Sequence, residues 1–242
     1  MRDAPLPLFL LLLFLAFIFP IGIYCLILGA LNRWDRPVLV SGPWDFAGVL
    51  FAASGVLLVV VPFGILRSLH ERWSYNWVLG PAGQCEGMAS ATYYFWLALW
   101  FLYYAGVILG AAWMLKRRRG ITAVYNVDYA VLEVGLSRVL ERLGLGWRRT
   151  GNYFLLNPAA SNGLALELES FPPLRHATLR WHGVDDAFRQ AIEKELEAVL
   201  AGMPTTENSV GGWFLSLGAS VMLVTLAGVA FMVFVNWRRI RG

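Results

Sequence analysis

The side chains best suited to chemistry gather between residues 164 and 182. There Leu164, Leu166 and Leu168 alternate with Ala165, Glu167 and Glu169, while Ala177, Leu179 and Trp181 alternate with His176, Thr178, Arg180 and His182. Alternation of this kind gives each strand one apolar and one polar face. With Pro172 and Pro173 as the turn, Glu167 is predicted to face Arg180, and His182 to lie near Ala165. Carboxylates, a guanidinium and an imidazole then share one surface. Two His and two Glu could hold a metal ion, and a Glu/His pair could shuttle a proton. Six residues of regular strand, however, hold His176 and His182 about 20 Å apart, too far to ligate one ion together. The simpler expectation for Glu167, Glu169, Arg180 and His182 is a set of solvated cross-strand pairs, with no catalytic residue, metal or cofactor.

The chain contains no phosphate-binding glycine loop, no GxSxG, no HExxH and no Cys/His pair for covalent catalysis. Cys25 lies in an apolar block and Cys85 in a loop, and neither has the spacing of a disulfide framework or a zinc site. Arg148 and Arg149 stand near Trp147, Tyr153 and Phe154, a mixture that nucleic-acid surfaces use. Yet from Lys116 to Ser209 twelve Lys and Arg meet eleven Asp and Glu, and four of the twelve form the cluster 116–119. No basic excess is left, and no nucleic-acid partner is expected.

The elements that must position these residues lie between 117 and 209. Residues 121–127 are β-branched and aromatic and predict a strand. Asp128 can cap a helix whose Leu132, Leu136, Val139, Leu140 and Leu143 form one apolar stripe ended by Gly144. Gly151-Asn152 predicts a hairpin turn between WRRT and YFLL. Asp185 or Asp186 can cap a second helix, with Phe188, Ile192, Leu196, Val199 and Leu200 on one face and Pro204 at its end. The expected order is β-α-β-β-β(-β)-α, an antiparallel sheet with both helices on its apolar face.

The rest of the chain is apolar. Of 242 residues, 58% are hydrophobic and 15% charged, against about 25% charged in soluble globular chains. Four stretches free of charge, 8–31, 46–66, 93–115 and 213–235, reach the roughly 20 residues needed to cross hydrocarbon. The expectation is therefore an α-helical membrane protein with four transmembrane helices plus the small α+β domain. Its parts are a three-helix membrane region at 1–116, the soluble domain at 117–209, and a fourth helix with a basic tail at 210–242. Lys116, Arg117, Arg118 and Arg119 end the third stretch, and Arg238, Arg239 and Arg241 end the fourth, as headgroup anchors do. Lys and Arg near the spans tie at six on each side, with Arg67 and Arg72 among those on the side of the termini. The dense cluster 116–119 favours a cytoplasmic domain. No Asp, Glu, Lys, Arg or His lies within the four stretches, which argues against an ion pump or transporter. Gly106 and Gly110 form a GxxxG whose small side chains permit close helix packing or self-association.

The strings VLVSGPWDFAGVLFAASG, residues 38–55, and RVLERLGLGWRRTGNYFLL, residues 138–156, resemble an uncharacterised multi-pass membrane protein family of planctomycete-type bacteria. That resemblance implies no activity and no site residues. The expected function is a non-enzymatic, membrane-anchored scaffold that binds the lipid bilayer and a protein partner or a second copy. A channel or transporter accessory subunit, and a membrane-bound enzyme using the polar sheet face, are the alternatives.

Overall fold

The computed structural model describes residues 6–62, 86–157, 163–203 and 208–241. Along the chain these form α1 (Leu6–Arg33), β1 (Val38–Ser41), and α2 (Gly42–Gly55), which continues as a π-helix over Val56–Val60. Then come α3 (Glu86–Arg117), a 3-10 turn (Arg118–Gly120), β2 (Ile121–Tyr125), α4 (Tyr129–Arg142), β3 (Trp147–Thr150) and β4 (Tyr153–Leu156). The last elements are β5 (Ala165–Phe171), β6 (His176–His182), α5 (Asp186–Ala201) and α6 (Ser209–Arg241). Arg67, Arg72, Cys85, Pro204 and residues 63–66 lie outside the described residues, as do the side chains of Arg239 and Arg241.

The expected four-span architecture is corrected by these elements. Among the described residues, two helices are long and apolar enough to cross a membrane, Tyr94–Gly120 and Ser209–Phe234. The other two apolar segments, Phe17–Arg33 and Gly42–Leu58, are shorter. The physical reason is that apolarity serves a second purpose in this chain. From Tyr24 to Gly48 the chain belongs to the same compact unit as Leu115–Ala219, and there Cys25, Asn32 and Phe46 are buried.

The sheet is also larger than predicted. Among the described residues it has six strands, all antiparallel, in the order β1-β2-β6-β5-β4-β3. The unanticipated strand is β1, which pairs Val38 with Tyr125 and Ser41 with Thr122. Four residues without alternation give no period to read, and the Gly42-Pro43 that follows looks like the end of a loop. Gly42 is required where it stands, because a Cβ there would lie 2.5 Å from the Arg118 carbonyl oxygen.

One face of the sheet carries the core. Val124, Phe154, Leu166, Leu168, Leu179 and Trp181 pack against Leu132, Leu136, Val139 and Leu140 of α4, and Ile192, Leu196 and Leu200 of α5. The two helices approach closely at Gly135, where a Cβ would meet Leu200 Cδ2 at 3.0 Å. Asp185 caps α5 by accepting from the Ala187 N–H at 2.8 Å. Asp128 makes no such side-chain bond at the start of α4. Its carboxylate takes Arg175 at 2.9 Å instead, and Arg175 itself sits in the left-handed region at φ 47°.

In the other compact unit, the hydroxyls of Tyr103 and Tyr104 donate to the carbonyls of Leu57 and Leu58. Those carbonyls lie in the π-helical turns, where the regular ladder of bonds is shifted and outside donors are useful. A Cβ added at Gly106 or Gly110 would meet nothing within 4 Å among the described residues.

Candidate functional site

The sheet face opposite α4 and α5 carries the polar residues, and it divides into an exposed half and a covered half. The exposed half lies on β4, β5 and β6. Register sets Glu167 opposite Arg180 and Ala165 opposite His182. The side chains then reach along the strands as well as across them. His182 Nε2 lies 3.1 Å from Glu167 Oε2, and Arg180 pairs with Glu169 at 3.0 Å. Tyr153, reaching over from β4, donates its hydroxyl to Glu167 Oε1 at 2.8 Å. Glu167 is thus the hub of a Tyr–Glu–His chain.

Electrostatics follow from that geometry. The Tyr153 hydrogen bond, then that of His182, holds the Glu167 carboxyl below the usual carboxylate range, while the same bond raises the Tyr153 phenol. An ionised Glu167 that accepts two bonds orients its neighbours and holds no proton to give. Among the described residues no group of three His, Cys, Asp or Glu is placed to hold a metal. His176, at the far end of β6, is not brought to His182; its ring lies against Tyr125 with centroids 4.8 Å apart.

The covered half lies on β1, β2 and the start of β6, under the segment Tyr24–Gly48. Ala123 and Tyr125 are buried there. The Tyr125 hydroxyl donates to Asp45 in the first turn of α2, and Tyr24 lies close enough to add to the field on Tyr125. Burial, then the bond to Asp45, raises the Tyr125 phenol far above its ordinary value. Burial lowers the His176 imidazole, opposed by the Asp45 charge. His176 Nε2 is buried and has no hydrogen-bond partner among the described residues.

Sequence reasoning missed Asp45, Tyr125 and Tyr24. The available signal was an acid in Gly-Pro-Trp-Asp at the head of an apolar helix. A carboxylate suits a helix N-terminus, and beside so apolar a stretch it requires a partner.

Between the two halves β5 outruns β4. Their pairing reaches Tyr153 and Glu167, while β5 continues to Phe171. A cleft of about 630 Å³ opens there, lined by residues that include Tyr129, Asn152, Glu169, Phe171 and His176. At the apolar helices, the Arg118 guanidinium stacks on Phe46 at 4.4 Å and that of Arg238 on Phe234 at 4.7 Å. Lys116, Arg117 and Arg119 are exposed beside Arg118. The chain matches no family model, no curated protein and no solved structure.

Proposed function

We propose that this chain is a membrane-anchored interaction module: α3 and α6 cross the bilayer and the α+β unit presents its polar sheet face to a protein partner. One observation carries the reading. Only 6% of the apolar window in Tyr94–Gly120 and 11% of that in Ser209–Phe234 is buried within the chain, so two long apolar surfaces need a non-aqueous environment. In the chain the sheet strand β2 follows the first of them after the three residues Arg118–Gly120. On the sheet, Glu167, Tyr153, His182, Arg180 and Glu169 engage one another, which suits a recognition surface better than a reacting centre. The proposed membrane is a bacterial inner membrane with the sheet on its cytoplasmic side, and Gly106 and Gly110 offer a contact for a second copy. The test is extraction of native membranes with alkaline carbonate. The protein is expected to stay with the lipid and to leave it only in detergent; release by carbonate overturns the reading.

A further inference from the structure

We propose that the corner where α2 begins and α3 ends is a binding site for anionic phospholipid headgroups, which makes the protein selective for anionic bilayers. Four consecutive cations, Lys116, Arg117, Arg118 and Arg119, stand at the end of α3. The first turn of α2 packs directly on them: a Cβ at Gly42 would lie 2.5 Å from the Arg118 carbonyl oxygen and 2.9 Å from Ile121 Cβ. The corner is therefore preformed. Asp45, in the first turn of α2, accepts the Tyr125 hydroxyl, and the Arg118 guanidinium rests over the Phe46 ring. A second guanidinium is drawn in from α5, because Arg189 donates to the Arg119 carbonyl while its own pairs are Asp186 and Glu193.

Charge complementarity names the ligand as an anion, and the surrounding surface names its source. Trp44, in the same first turn of α2, is 77% exposed, and the run of α3 before Lys116 is apolar. An amphipathic ring beside a cationic cluster at the end of an apolar helix matches the boundary between headgroup and acyl chain. A free phosphate would use the cations and leave Trp44 in water. A lipid phosphate with its chains satisfies both.

The proposal rests on the membrane-anchored reading, and the experiment separates the two. The full chain is reconstituted in phosphatidylcholine vesicles carrying a small fraction of spin-labelled phosphatidylglycerol or spin-labelled phosphatidylcholine, and the motionally restricted fraction of each label is compared. Wild type is expected to restrict phosphatidylglycerol several-fold more. Arg118→Gln with Arg119→Gln should bring that preference close to unity, and Arg118→Lys with Arg119→Lys should keep it. If the glutamine variant fails to fold, raising the salt on wild type should erase the preference while the protein stays in the vesicle. Equal restriction of both labels by an inserted wild-type protein overturns the proposal and leaves the anchored reading intact. A preference untouched by the glutamine pair, or one displaced by inorganic phosphate at matched ionic strength, also overturns it. Failure to insert at all counts against the anchored reading instead.

Discussion

The two halves of the polar sheet face use the same residue types in different surroundings. On the exposed half Tyr153 donates to Glu167, and on the covered half Tyr125 donates to Asp45. Each pair has a histidine beside it, His182 on one half and His176 on the other. Water decides what each arrangement is worth. A hydrogen-bonded pair at the surface exchanges its bonds with solvent, so its net contribution is small. Under the segment Tyr24–Gly48 a lost partner leaves a buried group unsatisfied at a cost of about 1 to 3 kcal/mol. A similar tyrosine–carboxylate bond is therefore a surface ornament on one half and a fastener on the other.

The comparison is broken most completely from behind. Leu136 is fully buried in the core that lies under both halves, and Leu136→Asp would place an unpaired carboxylate there. Several kcal/mol are lost, comparable to the whole stability of a small domain. The expected outcome is loss of the cooperative thermal transition of the sheet unit by circular dichroism in detergent, and a variant that melts like wild type would refute the assigned core.

A smaller perturbation separates the halves. Asp45→Ala should strand the Tyr125 hydroxyl and lower stability by about 2 kcal/mol, whereas Glu167→Gln, whose partners remain solvated, should stay under about 1 kcal/mol. Parallel denaturant melts in the same detergent check this. Equal losses would mean that the segment Tyr24–Gly48 does not shield the covered half.

The smallest expected effect is in pH dependence. His176 has its pKa lowered in the folded chain, so the unfolded chain binds the proton more readily. The stabilising contribution is full above the ordinary imidazole value of about 6.5 and is lost as pH falls below it. Glu167, also lowered, acts with the same sign at lower pH, beginning near the ordinary glutamate value of about 4.3. A melting-temperature series should show a shallow loss starting near the first value, and His176→Gln should remove that step while leaving the more acidic one. A profile unchanged by His176→Gln would mean that the imidazole is hydrated.

Legibility in the sequence tracked locality. The stripe Leu132, Leu136, Val139 and Leu140 and the alternation of Leu166 and Leu168 could be read because their period is written within a few residues. The opposition of Glu167 and Arg180 followed from a tight turn at Pro172 and Pro173. Tyr153 stands out in the sequence for its aromatic ring, yet its bond to Glu167 depends on the β4–β5 register, which the connection between those strands does not encode. Asp45 and Tyr125 are 80 residues apart, and no period links them. The count of spans failed for a related reason, since apolar residues that cover a sheet are spelled like apolar residues that face lipid. Asp128 looked like a cap because local chemistry favours that role, and Arg175, 47 residues away, outbid the helix.

Strand β1 has a consequence for how the domain can be handled. It comes from residues 38–41 and closes one side of a sheet whose other members begin at residue 121. A fragment starting at residue 117 would hold every core side chain of the two amphipathic helices and still bare the backbone donors and acceptors of β2, with Ala123 and Tyr125 unroofed beside them. Such a rim is a template for any extended chain that passes, including another fragment. While residues 38–41 stay attached, the rim of β2 is occupied by the chain's own strand.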